Sequence, residues 1–318
     1  GVPEALTAAR TAGMRLGFVT NNAARTPEQV ATHLTELGVP AQPGDVITSS
    51  QAAASVVADL VGAGGRVLAV GGPGVAAALT AAGLTVVERA EDSPAAVVQG
   101  YGPTVGWAQL AEAVVAVRGG ARHVATNTDA TIPSPRGVLP GNGAFVGVVS
   151  TVTGQQPLVT GKPDPAMHAE CVRRTGARRP LVVGDRLDTD IEGARRAGAH
   201  SLLVLSGVAT PADLLAAGPD HRPDLLSPDA AGLLTAHPPV EHAEQGWHCR
   251  GWLAAGSDGE LTLHAAAADR EPGDGLDGLR ALAVAHWAQH PAAGEAAVVR
   301  SGDAVAAEAL RRWGLLAD

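Results

Sequence analysis

Residues 181–198 read LVVGDRLDTDIEGARRAG. The apolar run Leu181-Val182-Val183 ends on Gly184 and an acid, Asp185, and a helix is predicted over 190–197. A short continuous apolar run bounded by turn residues predicts a strand buried on both faces. Such strands belong to parallel sheets covered by helices, and ligands collect at the carboxyl ends of those strands. Asp185, Asp188 and Asp190 therefore fall on the edge where ligands bind. Acids packed this densely repel one another unless a cation offsets them, and an all-oxygen set suits Mg2+. A plain aspartate cap at the start of the following helix accounts for Asp190 equally well.

The same alternation extends outward through most of the chain. RLGFVT (15–20), RVLAVGG (66–72), AAVVQG (95–100), RHVATN (122–127) and SLLVLSG (201–207) read as strands. Helices are predicted between them over 51–60, 75–82, 107–117 and 165–174, with Ser50 as the cap of the first. Thr26-Pro27-Glu28 opens a further helix, with Thr26 as N-cap and Pro27 at its first position. Val30, Leu34 and Leu37 recur there at helical spacing, and Gly38 stops it. Thr128 to Gly143 is rich in turn residues and reads as ordered rather than as a flexible linker. Beyond residue 240 the composition changes, and Trp247, Trp252, Trp287 and Trp313 all lie there. HCRGWLAA and ELTLHAA flank Gly256-Ser257-Asp258-Gly259, a hairpin signal, and helices follow near 277–289 and 303–313. This tail reads as a small separate domain.

Composition limits the function. At roughly 100–200 residues per domain, 318 residues make two or three domains. Apolar residues at 46% and charged ones at 17% exclude a disordered chain. A net charge of −9 argues against nucleic-acid and anionic-membrane partners. No apolar run is long enough to span a bilayer, and no basic segment leads an apolar one at the start. Cys171 and Cys249 cannot frame a disulfide scaffold or a zinc site alone, so a cytoplasmic setting is expected. Lysine and arginine together number 23, and Lys162 is the one lysine among them. Surface charge has no need of lysine over arginine, whereas a tight pocket has a use for a compact ammonium.

Two further motifs join the acids. Thr20-Asn21-Asn22 follows the first strand, where a hydroxyl and adjacent amides suit a phosphoryl oxygen, or simply make a turn with local caps. Gly161-Lys162-Pro163-Asp164-Pro165 places an ammonium at a helix start, or is a surface loop. In this order, each after a strand, the three motifs resemble motifs two, three and four of the haloacid dehalogenase (HAD) superfamily. Ala125-Thr126-Asn127-Thr128-Asp129 and Leu139-Pro140-Gly141-Asn142-Gly143-Ala144 resemble the signature of its class IIA branch, with its nitrophenylphosphatases and phosphoglycolate-phosphatase-like enzymes. The resemblance covers about residues 1–235. The tail resembles that of an actinobacterial subgroup whose members hydrolyse glycerol 3-phosphate, where it is a reduced acetyltransferase-like domain.

The resemblance implies an α/β fold: a Rossmann-like core (1–54 and 159–236), an inserted C2-type α/β cap (55–158) and a small α+β tail (240–318). It implies a Mg2+-dependent phosphatase for small phosphates, glycerol 3-phosphate favoured, with room for a homo-oligomer formed through the cap. Thr20 and the Asn21 amide would hold phosphoryl oxygens, with Asn22 beside them. Lys162 would neutralise the phosphate, Asp185 would ligate Mg2+, and Asp190 would support the metal's surroundings. Asn127 and Asp129 would lie on the cap face over the site. The family's first motif, Asp-x-Asp-Gly, carries the nucleophile and the acid/base, and it does not occur ahead of Thr20. A strand and loop of roughly 25–30 residues upstream is therefore expected to carry it.

Rival readings are weaker. Neither Gly71-Gly72-Pro73-Gly74 nor Gly141-Asn142-Gly143 makes a dinucleotide-binding G-x-G-x-x-G. His248-Cys249 lacks a second ligand pair, and Ser201 and Ser206 lack a nucleophile elbow. Acyl transfer by the tail lacks a glycine-rich pyrophosphate loop. A non-catalytic phosphoryl-binding protein remains the alternative, although such a protein has no need of Lys162 and Asp185.

Overall fold

The structure, a computed structural model, describes residues 1–257, 260–265 and 273–316. These residues pack as two units, one formed by 15–178 and one by 1–14 with 179–318. The chain opens on α1 (Val2–Thr11), with Pro3 in the first turn, where a missing N–H costs little. In the first unit β1 (Phe18–Thr20), α2 (Pro27–Glu36), β2 (Val46–Thr48) and α3 (Ser49–Val61) follow. β1 and β2 pair in parallel with Thr20 opposite Thr48. Thr26 starts α2 as expected: its hydroxyl accepts from Gln29 N–H, and Gln29 Oε1 accepts from Thr26 N–H. The expected cap of α3 is corrected from Ser50 to Thr48, which forms the same reciprocal pair with Gln51. Ser50 is buried instead, its hydroxyl donating to Ala23 O at 2.9 Å.

Then come β3 (Arg66–Val70), α4 (Pro73–Ala81), β4 (Thr85–Val87), β5 (Ala96–Gln99), α5 (Trp107–Arg118) and β6 (Arg122–Ala125). A hairpin of β7 (Thr131–Ser134) and β8 (Gly137–Pro140), α6 (Asn142–Thr153), β9 (Leu158–Val159) and α7 (Ala166–Thr175) complete the unit. The sheet order is β4-β3-β5-β6-β9, all parallel. Alternate residues along its strands serve opposite layers. Val67, Val98 and Val124 meet Val57 of α3 and Leu79 of α4. Leu68, Val70 and Val97 meet Leu110 and Val117 of α5 and Val149 of α6. The hairpin accounts for the ordered turn residues of 128–143. α6 escapes the sequence pattern because its β-branched and glycine residues are poor helix formers; packing of Phe145 and Val149 holds it. On α7, buried Glu170 accepts from Arg173 (2.6 and 3.0 Å), Arg174 (2.6 Å) and Ser55 of α3 (3.3 Å).

The second unit carries β10 (Leu181–Gly184), a π-turn over Leu187–Ile191, α8 (Glu192–Arg196), β11 (His200–Val204), α9 (Pro211–Leu215) and β12 (Leu225–Ser227). Its sheet is parallel, in the order β10-β11-β12. β13 (Glu241–Ala243), β14 (Gly246–Cys249), β15 (Trp252–Ser257), β16 (Glu260–Ala265), α10 (Asp277–Gln289), β17 (Val298–Ser301) and α11 (Ala304–Arg312) follow. Those five strands form a second sheet in sequence order, antiparallel except for the β16–β17 pair. The predicted hairpin is β15–β16, with Asp258 and Gly259 outside the described residues.

The tail packs closely on the three-stranded sheet. Ile191, Leu203, Leu214 and Leu226 share one apolar cluster with Leu261, Leu279, Leu282 and Leu310. Buried Arg280 of α10 donates to Asp274 Oδ1 (2.8 Å), Asp277 Oδ1 (2.9 Å) and, across to β12, Leu226 O (2.5 Å). Trp287 Nε1 donates to Leu214 O at 3.2 Å. Among the described residues no helix is long and apolar enough to cross a membrane.

Arg280→Ala leaves Asp277, 5% exposed, with only the longer Arg250 pair at 3.5 Å. The free energy of unfolding in urea is expected to drop by about 3–5 kcal/mol, and Arg280→Lys to recover only part, since an ammonium lacks the guanidinium fork. Burial alone would raise the Glu170 carboxyl, but Arg173 and Arg174 outweigh it and hold it below the ordinary glutamate value. The resulting stabilisation is complete above a pH of about 4.3 and is lost as pH falls through the lower folded value. Glu170→Gln is expected to cost about 2 kcal/mol at neutral pH and much less in acid. An unchanged acid dependence of the urea midpoint in that variant contradicts this.

Candidate active site

In the first unit β1 ends on Thr20 and the chain turns sharply. Asn22 Oδ1 accepts from Ala24 N–H and Arg25 N–H, each at 3.0 Å, so the Asn22 carboxamide is committed to the turn. Asn22 N–H donates to Thr20 Oγ1 at 3.1 Å, which leaves the threonine hydroxyl proton to be donated elsewhere. Asn21 does something different. Its Oδ1 accepts from Lys162 N–H at 2.8 Å, and its Nδ2 donates to Lys162 O at 3.2 Å and to Asp129 Oδ2 at 3.4 Å. Asn127 Nδ2 and Ser49 Oγ both donate to Asn21 O at 2.8 Å, and Asn127 Oδ1 accepts from Asp129 N–H at 3.2 Å. Lys162 Nζ donates to Val19 O at 3.3 Å. Thr20, Asn21, Asn22, Asn127, Asp129 and Lys162 are thus brought together, although 141 positions separate Asn21 from Lys162.

Glycine makes that approach feasible. A Cβ on Gly161 would sit 2.2 Å from Thr126 O and 2.9 Å from Asn21 Oδ1. The Gly-Lys-Pro segment therefore lies directly on the backbone that follows β6, and Thr160 N–H closes the contact by donating to Ala125 O at 3.0 Å. The result is an ammonium, a hydroxyl and a turn rich in amides at the ends of β1 and β6. This set is equipped to receive a doubly charged oxyanion.

In the second unit the acids follow β10. Asp185 is half-buried, and its Oδ2 accepts from Val208 N–H at 2.9 Å. Asp190 is buried, and its Oδ2 accepts from Arg186 N–H at 3.2 Å. It lies inside the π-turn, and α8 follows Ile191, so Asp190 does not cap that helix. Asp188 pairs with the Arg186 guanidinium at 2.6 and 2.9 Å, which holds its carboxyl below the ordinary range. A Cβ on Gly184 would meet Asp190 Cβ at 2.3 Å, and one on Gly207 would meet Asp185 Oδ2 at 2.0 Å. Glycines thus let both acids pack directly against the neighbouring backbone. No group of three His, Cys, Asp or Glu that could cage a metal occurs among the described residues. Mg2+ takes one or two carboxylates and keeps its water, so Asp185 fits as a ligand without a cage.

The decoys resolve as structure. Cys249 is buried on β14, where burial first of all pushes its thiol up to about 12, so it is no thiolate at neutral pH. Ser49 and Asn142 belong to the Asn21 neighbourhood and were not singled out as site residues from the sequence. For Asn142 the signal was present: a carboxamide between two glycines at the head of an apolar helix.

Three family models match the chain. Residues 1–85 match haloacid dehalogenase-like hydrolase, 159–233 match HAD-hydrolase-like, and 249–315 match GCN5-related N-acetyltransferase like domain. D-glycerol 3-phosphate phosphatase of Mycobacterium tuberculosis is 45% identical over 305 residues, covering 94% of this chain and 85% of its own length. The crystal structure of glycerol phosphate phosphatase from Mycobacterium tuberculosis in complex with magnesium is similar at a TM-score of 0.86 and 43% identity, over 98% of this chain and 91% of that one. A double mutant of a thermostable NPPase from Geobacillus stearothermophilus is similar at 0.62 and 36% identity, over 65% of this chain and 83% of that one. The chain belongs to the haloacid dehalogenase-like hydrolases, on their phosphatase branch.

Proposed function

We propose that this chain hydrolyses small phosphomonoesters with the aid of magnesium, and that glycerol 3-phosphate is its favoured substrate. The observation that carries the reading is identity of 45% with a D-glycerol 3-phosphate phosphatase across 94% of the chain, tail included. The two-way hold on Lys162 and the place of half-buried Asp185 just after the end of β10 support it.

In the proposed reaction an aspartate carboxylate attacks phosphorus in line. A new O–P bond forms as the ester P–O bond breaks, and an aspartyl-phosphate results. A second acid gives its proton to the leaving alkoxide. It then takes one from the water that attacks phosphorus, which releases inorganic phosphate and frees the carboxylate. Both acids belong to Asp-x-Asp-Gly, which no four residues of this sequence spell, and the proposal assigns them to sequence ahead of Gly1.

The chain's own residues bind and orient. The Thr20 hydroxyl and the Asn21 amide hold phosphoryl oxygens. Lys162 offsets the charge of phosphate and carboxylate as they are pressed together. Asn127 and Asp129 face the substrate from the inserted segment. Asp185 is the residue that would hold magnesium, and buried Asp190 keeps the 186 turn closed beside it. When bound, magnesium supplies positive charge that draws electron density from the phosphoryl oxygens.

Phosphate release with Mg2+ on glycerol 3-phosphate, phosphoglycolate and an aryl phosphate tests this, for the 318-residue chain and for a form extended upstream. Turnover by the extended form alone, with the highest kcat/KM on glycerol 3-phosphate, is expected. Turnover by the 318 residues unaided removes the upstream carboxylate from the scheme, and a preference for phosphoglycolate overturns the substrate. In the extended form Lys162→Arg is expected to lower kcat at least about a hundredfold, because a fork does not fit a place made for a point charge. Asp185→Asn is expected to weaken Mg2+ binding measured by calorimetry, and equal affinity would show that another residue holds the metal.

A further inference from the structure

We propose that Asn142, the first residue of α6, is a positioning residue for Lys162 and acts through the carboxamides of Asn127 and Asn21. The inference rests on the reading above that Lys162 meets the phosphate.

Asn142 is 1% exposed. Its Nδ2 donates to Asn127 O at 2.7 Å and to Gln99 O at 3.2 Å. Both neighbours are carbonyls, so the carboxamide has only one satisfactory orientation. That orientation leaves Oδ1 buried with no hydrogen bond among the described residues. A helix start asks only for a cap, and an inward carboxamide with a bare carbonyl is a costly way to begin one. What the arrangement achieves is to join the start of α6 to the end of β5 and to the Asn127 peptide that follows β6.

From there the hydrogen bonds continue in one direction. Asn127 Nδ2 donates to Asn21 O at 2.8 Å, and the Asn21 carboxamide grips both main-chain groups of Lys162. Lys162 Nζ then reaches Val19 O at 3.3 Å. The Asn142, Asn127 and Asn21 steps each join a side-chain amide to a main-chain group, so each fixes the plane of the next peptide. Loss of the Asn142 amide frees the Asn127 peptide to rotate, and the Asn127 side chain then leaves its place on Asn21. The ammonium at the end of the series drifts as a consequence, although Asn142 itself does not touch Lys162 in any of these bonds.

The single lysine gives a readout that needs no turnover. Protein grown on 15N-lysine carries one labelled backbone amide, that of Lys162. In the unmodified chain this N–H, bonded to Asn21, is expected to exchange far more slowly than an open-chain amide. Asn142→Ala is expected to shift its resonance and speed its exchange at least about tenfold. Asn142→Ser keeps a hydroxyl donor and is expected to restore part of the protection. Ser150→Ala, a buried change elsewhere on α6, is expected to leave the signal in place. In the extended, active form Asn142→Ala is expected to lower kcat roughly tenfold to a hundredfold, with KM changed much less.

A Lys162 amide exchanging at the open-chain rate in the unmodified protein overturns the inference. So does a signal in Asn142→Ala, or in Asn142→Ser should alanine not fold, that matches the one in Ser150→Ala. If the amide responds as described but Lys162→Arg is fully active, the relay stands and the role given to Lys162 falls.

Discussion

The hold of the Asn21 carboxamide on the main chain of Lys162 is the interaction around which the first unit is organised. One N–H and one C=O are met by one acceptor and one donor, as a neighbouring strand would meet them, but by a single side chain. Bringing together residues 141 positions apart is entropically costly, and two hydrogen bonds do not supply that cost. The five-stranded sheet and its two apolar layers do. Once β6 and β9 are paired, the Gly-Lys-Pro segment is delivered onto Thr126, and glycine at 161 lets it settle there. The strands of 66–159 are thus the scaffold that brings the lysine to the end of β1.

The acids of 185–190 follow another logic. Their density implies a cation from sequence alone, yet in the fold each finds a partner close by in the chain or in the next loop. Asp188 takes Arg186, Asp190 takes the Arg186 amide, and Asp185 takes the Val208 amide. Each carboxylate is therefore hydrogen-bonded without a metal cage, and the case for magnesium rests on Asp185 and on the family. The same local satisfaction appears at Asn22, whose carboxamide serves the turn while its neighbour Asn21 serves the lysine. Two adjacent asparagines of identical chemistry divide between the turn and the lysine according to the direction in which the turn points them.

In the second unit Leu203 and Leu226 share a core with Leu279 and Leu282 of the tryptophan-rich tail, and Arg280 reaches the carbonyl of Leu226. A buried guanidinium between Asp274 and Asp277 is tolerable only where every donor finds an acceptor, so α10 is fixed in direction as well as in place. The three-stranded sheet β10-β11-β12 obtains from the tail part of the apolar cover that a parallel sheet requires.

What the residues determined by themselves is what near neighbours in the chain decide. The Thr26–Gln29 box, the helices of 107–118 and 277–289, and the apolar strands ending at Gln99, Ala125 and Gly184 follow from periodicity and capping within a few positions. The order of Thr-Asn-Asn, Gly-Lys-Pro and Gly-Asp was enough to identify the family. Tertiary structure decided the rest. β2 and β4 are three residues long and too short to carry a period, and α6 is a helix of poor helix formers held by the sheet beneath it. Which asparagine meets the lysine and what the tail packs against are settled only when distant backbones approach. That approach depends on the space left by a missing Cβ and on the match of donors to acceptors, neither of which is a property of any single stretch of chain.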